Sequence, residues 1–196
     1  MKRLLVAVAL LAALAACGSD DDTPDERVTT TTGGATPVQT TSTTAAATTT
    51  TLKAFGNTAV SSPDTSPPAL LTDVQVGAHD GFERIVFRFG KFDTVPGYTV
   101  AHASGPFTQD GSGQPVAVAG SGHIAVRLNA AAHSEAGQTT YTGSKRIQGH
   151  GSVTEVVMLG DFEGVVSWVI GTTNEKPFRV FTLEDPARVV VEVQSP

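Results

Sequence analysis

The chain has 196 residues, with 13 basic and 19 acidic side chains and a formal net charge of −6. This negative balance argues against nucleic acid as a partner and against a broad electrostatic contact with anionic lipid. Cys17 is the one cysteine in the sequence, which excludes an intrachain disulfide and dithiol redox chemistry.

The first 16 residues have the features of an export signal. Lys2 and Arg3 precede an apolar run over residues 4–16. That run is shorter than the roughly 20 residues that a helix needs to span a bilayer. A basic start, a short apolar stretch and small residues at its end are typical of a signal peptide that is removed after export. We therefore predict a signal peptide at residues 1–16.

The four residues Leu14-Ala15-Ala16-Cys17 resemble the bacterial lipobox. The resemblance implies that the sulfur of Cys17 is joined to a diacylglycerol and that the chain is cut just before this cysteine. Each buried CH₂ contributes about 0.8 kcal/mol, so two or more acyl chains hold a protein stably at a membrane. We expect a lipid-anchored protein on the extracytoplasmic face of the cell membrane, with the number of acyl chains left open.

The composition divides the mature chain into a linker and a domain. Residues 17–69 are rich in Thr, Ser, Ala, Pro and Asp and include "TTTTGGATPVQTTSTTAAATTTT". Such a segment cannot bury enough apolar surface to offset its ordering entropy. We predict that residues 17–69 form the lipidated cysteine and a disordered Thr-rich linker, followed by a single domain at residues 70–196. That domain carries 13 acidic and nine basic residues, a formal charge of −4.

Three β-hairpins are predicted from alternating apolar residues on either side of turn residues. The first, "TDVQVGAHDGFERIVFRFG", turns at Asp80-Gly81. The second, "VTEVVMLGDFEGVVSWVIG", turns within residues 161–164, and the third, "PFRVFTLEDPARVVVEV", turns at residues 184–186. Arg84 and Arg88 share one face of the first hairpin with Val86, which predicts a partly hydrated face.

Further short strands are predicted in "GYTVAH", "QPVAVAG" and "HIAVRLN", whereas "LNAAAHSEAG" is the one weak helix candidate. In "HIAVRLN" the apolar residues Ile124, Val126 and Leu128 alternate with His123, Ala125 and Arg127. About nine or ten short, mostly antiparallel strands with frequent turns indicate an all-β sandwich or barrel. There is also a faint internal echo between "GFERIVFRF" and "DPARVVVEV", because each places an arginine at the entrance of a strongly β-forming strand.

The segments "FERIVFRFG", "PGYTV", "GSGQPVAVAG", "TYTG", "GDFEGVVSWVIG" and "PFRVFTLEDPARVVVEV" resemble, in order, the AMIN-like domain of exported actinobacterial lipoproteins. That domain is itself similar to the AMIN domain of cell-wall amidases. The resemblance covers nearly all of residues 72–193. It implies a β-sandwich with a non-catalytic role in the cell envelope, and it implies peptidoglycan as the ligand of the better-known relatives.

No catalytic motif stands out in the sequence. A G-x-S-x-G nucleophile elbow is missing, and the five histidines show neither H-x-H nor H-x-x-x-H spacing. Asp161 and Glu163 flank Phe162 in a predicted turn, where acidic residues are favoured for backbone reasons. We therefore expect no enzyme activity, no metal site and no cofactor.

We expect the domain to bind a ligand rather than to catalyse a reaction, because a sheet can contact a wall glycan with arginine, histidine and aromatic side chains. The candidates are His123 with Arg127 on one strand face, Lys145 with Arg146 in a basic loop, and the aromatic residue Tyr98. Trp168 is expected in the core because it alternates with apolar residues.

The leading hypothesis is a membrane-anchored β-sandwich that binds the cell wall or an envelope protein. Two alternatives remain. A carrier of lipid or another apolar molecule would need a large pocket between its sheets. A wall hydrolase would need at least two of a set of acid and base residues to converge in one cleft: His123, His133, His150, Asp161 and Glu163. The oligomeric state is left open.

Overall fold

The computed structural model describes residues 53–90 and 93–196. The predicted signal peptide, Cys17 and most of the predicted linker lie outside the described residues. The described residues belong to one compact unit, Thr48–Pro196, which contains its own hydrophobic core and is therefore expected to fold by itself. Within these ranges there is no helix long and apolar enough to cross a membrane.

The described part of the chain forms thirteen β-strands and no α-helix. The strands are β1 (Val60–Ser62), β2 (Ala69–His79), β3 (Phe82–Phe89), β4 (Tyr98–His102), β5 (Phe107–Thr108), β6 (Pro115–Val116), β7 (Gly122–Leu128), β8 (Ala130–Ala131), β9 (Arg146–Gln148), β10 (Val153–Phe162), β11 (Val165–Thr172), β12 (Phe178–Leu183) and β13 (Arg188–Gln194).

Two sheets supply the core residues. One has six strands in the order β1-β4-β7-β11-β10-β9, and the other has five in the order β12-β13-β3-β2-β8. A third, two-stranded sheet pairs β5 with β6. All pairs are antiparallel except the short β2–β8 pair. The predicted all-β, sandwich-like fold is confirmed; the strand count exceeds the predicted nine or ten because five strands have only two or three residues.

The three predicted hairpins are all present. Gly81, at the β2–β3 turn, has φ = 79°, and the β10–β11 turn places Glu163 and Gly164 at φ = 52° and 74°. Asp185, in the β12–β13 turn, also has φ = 52°. Glycine and aspartate tolerate this left-handed conformation better than most residues do, and each of the three turns contains one of them, so local sequence was enough to predict the turns.

The core lies between the two large sheets, and aromatic rings from both sheets pack against each other within it. Trp168, on β11 of the six-stranded sheet, is 1% exposed, as the alternation predicted. Its ring meets Phe87 of the five-stranded sheet at 5.8 Å and Tyr141 at 5.7 Å, both edge to face. Such pairs contribute about 0.5–1.5 kcal/mol beyond the area they bury. Glu83 adds a polar link, because its buried carboxylate accepts hydrogen bonds from the backbone N–H groups of Ser152 and Val153.

Two local predictions were wrong. The helix candidate at residues 128–137 instead contains β8 and a bridge between His133 and Thr139. The strand predicted over residues 114–120 is limited to β6, because the following residues leave the hairpin and bond to β10. There, Ala119 donates its N–H to Glu155 and accepts a hydrogen bond from the hydroxyl of Thr154. In both places, contacts with distant strands replace the local pattern.

The domain begins before the predicted boundary at residue 70. Strand β1 pairs with β4, Gly56 forms a bridge with Phe178, and the backbone N–H of Thr65 bonds to the side chain of Asn129. Residues 53–69 are therefore part of the folded unit rather than of the linker. Their composition did not reveal this, because the distant strands supply the backbone hydrogen bonds and the apolar surface.

Candidate binding surfaces

Two of the predicted binding residues hold a covering segment, residues 103–121, on the outer face of the six-stranded sheet. His123, on β7, packs its ring edge to face against Phe107 at 5.0 Å, and its Nε2 lies 3.3 Å from the carbonyl oxygen of Val118. Arg146, on β9, donates one hydrogen bond to the carbonyl oxygen of Ala117 and another to Glu155. Both side chains are thus engaged within the domain.

Glu155, on β10, holds this covering segment in place. The residue is 8% exposed, and its carboxylate accepts a 2.6 Å hydrogen bond from the backbone N–H of Ala119. Burial raises its pKa, but hydrogen bonds from Arg146 and Ala119 and the charge of Arg146 outweigh that effect and hold the pKa below its usual value. Val157 and Val169 lie on the same outer face and are nevertheless buried, which agrees with the cover above them.

The other three predicted residues have different surroundings. Arg127 is exposed on the outer face of β7, opposite Thr99 and Ser167 in the neighbouring strands. Lys145 is exposed at a polar cavity of about 300 Å³ that Asp161 also lines. Tyr98 is half-buried against the core, and burial raises the pKa of its hydroxyl.

One acid–base pair from the hydrolase alternative does converge. The Nδ1 of His133 lies 2.6 Å from Oδ2 of Asp161, and the same carboxylate oxygen accepts a hydrogen bond from the backbone N–H of Ala132. An Asp–His pair orients an imidazole, but hydrolysis also needs a nucleophile or an activated water. In the part of the chain that the structure describes, no hydroxyl bonds to the His133 ring, and His123 and His150 make no hydrogen bond to the pair.

The described residues give little support for a metal site or for a lipid carrier. Across residues 53–90 and 93–196, no group of three or more His, Cys, Asp or Glu side chains is placed to hold a metal ion. The space that a carrier would need between its sheets is occupied by Trp168, Phe87 and other large core side chains. A cavity of about 530 Å³ lies instead at the ends of β2 and β3, outside the interior of the sandwich.

The outer face of the five-stranded sheet carries four arginines, and we call it the arginine face. Strand alternation places Arg84 and Arg88 of β3 on this face, and antiparallel pairing sets Arg188 of β13 directly opposite Arg88. Arg179 of β12 lies opposite Glu192 of β13, which in turn lies opposite Arg84. Four guanidinium groups thus converge on one face of a domain whose formal charge is negative.

The Arg84–Glu192–Arg179 row is a closed network. Glu192 is 0% exposed; Arg84 donates two hydrogen bonds to its Oε1, and Arg179 donates one to its Oε2. Aromatic rings complete the network, since the Arg179 guanidinium lies 4.2 Å from the ring centre of Phe55 and that of Arg84 lies 5.3 Å from Phe82. These two arginines therefore have their main partners inside the domain.

The Arg88–Arg188 row is different, because no carboxylate joins its two guanidinium groups. Arg188 donates hydrogen bonds to the carbonyl oxygens of Pro186 and Glu184. Among the residues that the structure describes, the guanidinium of Arg88 makes neither a hydrogen bond nor an ion pair, and its Nε is buried without a partner. Asp73 lies opposite Arg88 in β2, but its carboxylate accepts a hydrogen bond from Gln75 instead.

The sequence contained a signal for this surface that the prediction did not use. The echo between "GFERIVFRF" and "DPARVVVEV" gives each strand an arginine on its outer face. Only the antiparallel pairing of β3 with β13, whose residues are about one hundred positions apart, sets the second arginine of the first segment, Arg88, opposite Arg188, whereas the entrance arginine Arg84 lies opposite Glu192. The predicted site residues came from strands of the other sheet and from a loop beside it.

The fold and this surface define a class of protein: an all-β sandwich domain with a cationic, partly aromatic outer sheet face. The family model of the AMIN-like domain matches residues 69–195, about two-thirds of the sequence, and the chain belongs to this family. Neither a curated protein nor a solved structure matches the chain. Membership of the AMIN-like family indicates a cell-wall-related extracytoplasmic module.

Proposed function

We propose that this protein is a non-catalytic cell-wall-binding module, anchored to the outer surface of the membrane by lipid on Cys17. The arginine face binds the wall polymer, and the Thr-rich linker lets the domain reach that polymer. The observation that carries the proposal is the convergence of four arginines on one sheet face of a domain with a formal charge of −4. A cationic patch in an otherwise acidic domain needs a reason, and an anionic ligand supplies one.

The hydrogen-bonding state of the four arginines favours the Arg88–Arg188 end of the arginine face as the region that contacts the wall polymer. In the Arg84–Glu192–Arg179 network both guanidinium groups are bonded to the Glu192 carboxylate, whereas the guanidinium of Arg88 has no acceptor among the described residues. A wall polymer offers carboxylates and hydrogen-bond acceptors, which guanidinium groups recognise with paired N–H donors. Phe181 and Leu183 on β12 add apolar surface on the same side of the sheet.

The test is sedimentation of the folded unit, residues 48–196, with insoluble cell wall. We expect the wild-type unit to sediment with the wall at low salt and to be released as salt rises, because exposed charge contacts are screened. The double variant Arg88→Gln/Arg188→Gln should remain in the supernatant. Arg127→Gln removes an exposed arginine from the other sheet and serves as the matched control, which should sediment like the wild type.

Two results would contradict the proposal. Wild-type protein that stays in the supernatant at every salt concentration would rule out wall binding. Equal sedimentation of the double variant and the Arg127→Gln control would rule out the arginine face as the contact. Thermal denaturation of each variant verifies that a loss of binding does not come from unfolding.

A further inference from the structure

The cavity at the ends of β2 and β3 lies beside Arg88, the arginine of the arginine face that has no partner among the described residues. Its volume is about 530 Å³, and it is lined by Thr72, Arg88, Phe89, Gly90, Asp185 and Pro186. Ligand pockets typically measure about 300–1,000 Å³, so the space is sufficient for a small organic group. It opens to the surface next to the β12–β13 turn.

Arg88 brings an unsatisfied cation to this cavity. Among the described residues its buried Nε has no hydrogen-bond acceptor, and a buried N–H without a partner is destabilising. Arg188 stands directly opposite in β13, and like charges at opposed strand positions repel. A single anion in the cavity would reduce this repulsion and would give the guanidinium of Arg88 an acceptor.

The remaining lining indicates which kind of anion fits. Phe89 and Pro186 supply apolar walls, and the hydroxyl of Thr72 is already bonded to the carbonyl oxygen of Arg88. Such walls suit an organic group with a small apolar body better than a fully hydrated inorganic ion. Asp185 also lines the cavity but makes no ion pair with either arginine. Its charge favours a ligand with one negative charge over one with several.

We infer that Arg88, supported by Arg188, binds the free carboxylate of a ligand with a short apolar body, such as the C-terminal end of a peptide. The guanidinium edge of Arg88 donates to the carboxylate oxygens, and Phe89 with Pro186 contacts the apolar part. The inference rests on the proposed function and deepens it, since it names the group that the arginine face recognises.

The experiment titrates the folded unit with a defined probe, acetyl-alanyl-alanine, and follows the arginine Nε–H signals by ¹⁵N NMR. We expect the Arg88 signal to shift and saturate, with a dissociation constant of about 1 mM or below. The C-terminal amide of the same peptide keeps the size and removes the charge, so it should bind at least about tenfold more weakly. Inorganic phosphate, as a third probe, should bind more weakly than the peptide acid.

Variants then assign the site. Arg88→Gln should weaken binding of the peptide acid by about tenfold or more, while Arg88→Lys, which keeps the charge but not the paired donors, should fall in between. Arg127→Gln should bind like the wild type. If Arg88→Gln fails to fold, the comparison of acid with amide on wild-type protein still decides the matter.

Several outcomes would overturn the inference: no shift up to about 10 mM peptide, equal binding of acid and amide, tighter binding of phosphate, or unchanged binding by a folded Arg88→Gln variant. These outcomes are separable from the wall-binding test. Sedimentation with the wall but no binding of the probe would remove the carboxylate site alone. Probe binding without sedimentation would keep the site and remove the proposed function.

Discussion

Replacing Glu155 by glutamine should loosen the covering segment, residues 103–121, without disturbing the core between the sheets. The carboxylate accepts the backbone N–H of Ala119 at 2.6 Å and pairs with Arg146. Glutamine has nearly the same shape but no charge. The substitution therefore removes the ion pair and weakens the hydrogen bond while creating no cavity.

The size of the effect follows from exposure. The side chain of Arg146 is 51% exposed, so its ion pair contributes at most about 0.5 kcal/mol. A hydrogen bond to a charged group contributes about 1.5–3 kcal/mol, and roughly half is retained by a neutral acceptor. The expected loss is about 1–2 kcal/mol in the free energy of unfolding. For a domain of this size, this corresponds to a fall in Tm of about 3–6 °C at pH 7.

The pH dependence has a definite sign, because the folded-state pKa of Glu155 is lowered. Such a carboxylate contributes its stabilisation fully above the pKa of an unfolded glutamate, about 4.3, and loses it as the pH falls through the lower folded-state value. The difference in Tm between the wild type and Glu155→Gln should therefore be largest near neutral pH and should shrink as the pH is lowered toward about 3.

The assay is thermal denaturation followed by circular dichroism over this pH range, together with amide hydrogen exchange at Ala119. Glu175→Gln is the control, because Glu175 is exposed and makes no hydrogen bond among the described residues. The reasoning is refuted if Glu155→Gln matches the wild type at pH 7. It is refuted equally if the Tm difference does not change with pH, since the lost interaction would then not depend on the charge.

Three further predictions concern the lipid anchor at Cys17, the buried ion network around Glu192, and Gly151. Changing Cys17 to serine should abolish incorporation of a labelled fatty acid into the protein, as detected by metabolic labelling and immunoprecipitation; labelling of the serine variant would contradict lipid attachment at this position. Glu192→Gln should destabilise the domain by about 3 kcal/mol in chemical denaturation, because a neutral amide offers one acceptor oxygen where the buried carboxylate bonds two arginines; a loss below about 1 kcal/mol would show that the charge of Glu192 contributes little. Gly151→Ala should cost about 2–3 kcal/mol, since φ is +52° and a Cβ would overlap Oε1 of Glu83. Gly113→Ala, with φ of +67° and open space, should cost only the backbone part, about 1 kcal/mol; equal losses would exclude the overlap.

Much of the fold could be predicted because its signals are local. Alternating apolar residues place Ile124, Val126 and Leu128 in the core, and Asp80-Gly81 supplies the turn residues of the first hairpin. Both signals act over a few residues, through the two-residue period of a strand and the positive φ of a turn. The three hairpins and the burial of Trp168 follow from them without knowledge of the rest of the chain.

The candidate site was harder to predict, because its residues are distant in sequence. His123 and Arg146 have side chains of the kinds that bind ligands. The covering segment folds back onto both residues, however, and its backbone carbonyl groups contact their nitrogen atoms. The pairing of His133 with Asp161 depends on a loop that the sequence pattern assigned weakly to a helix. Neither contact leaves a periodic pattern along the chain.

The sequence by itself determined that the folded part consists of short strands, where three of its hairpins turn and which residues face inward. Only the tertiary structure decided that β13 pairs with β3, and with that pairing which arginines meet a carboxylate and which do not. The physical reason is that backbone conformation depends on neighbouring residues, whereas the partner of a strand depends on the packing of the whole core. The sequence of β3 alone does not single out Arg88. Its position opposite a second arginine, Arg188, becomes apparent only when β3 pairs with β13.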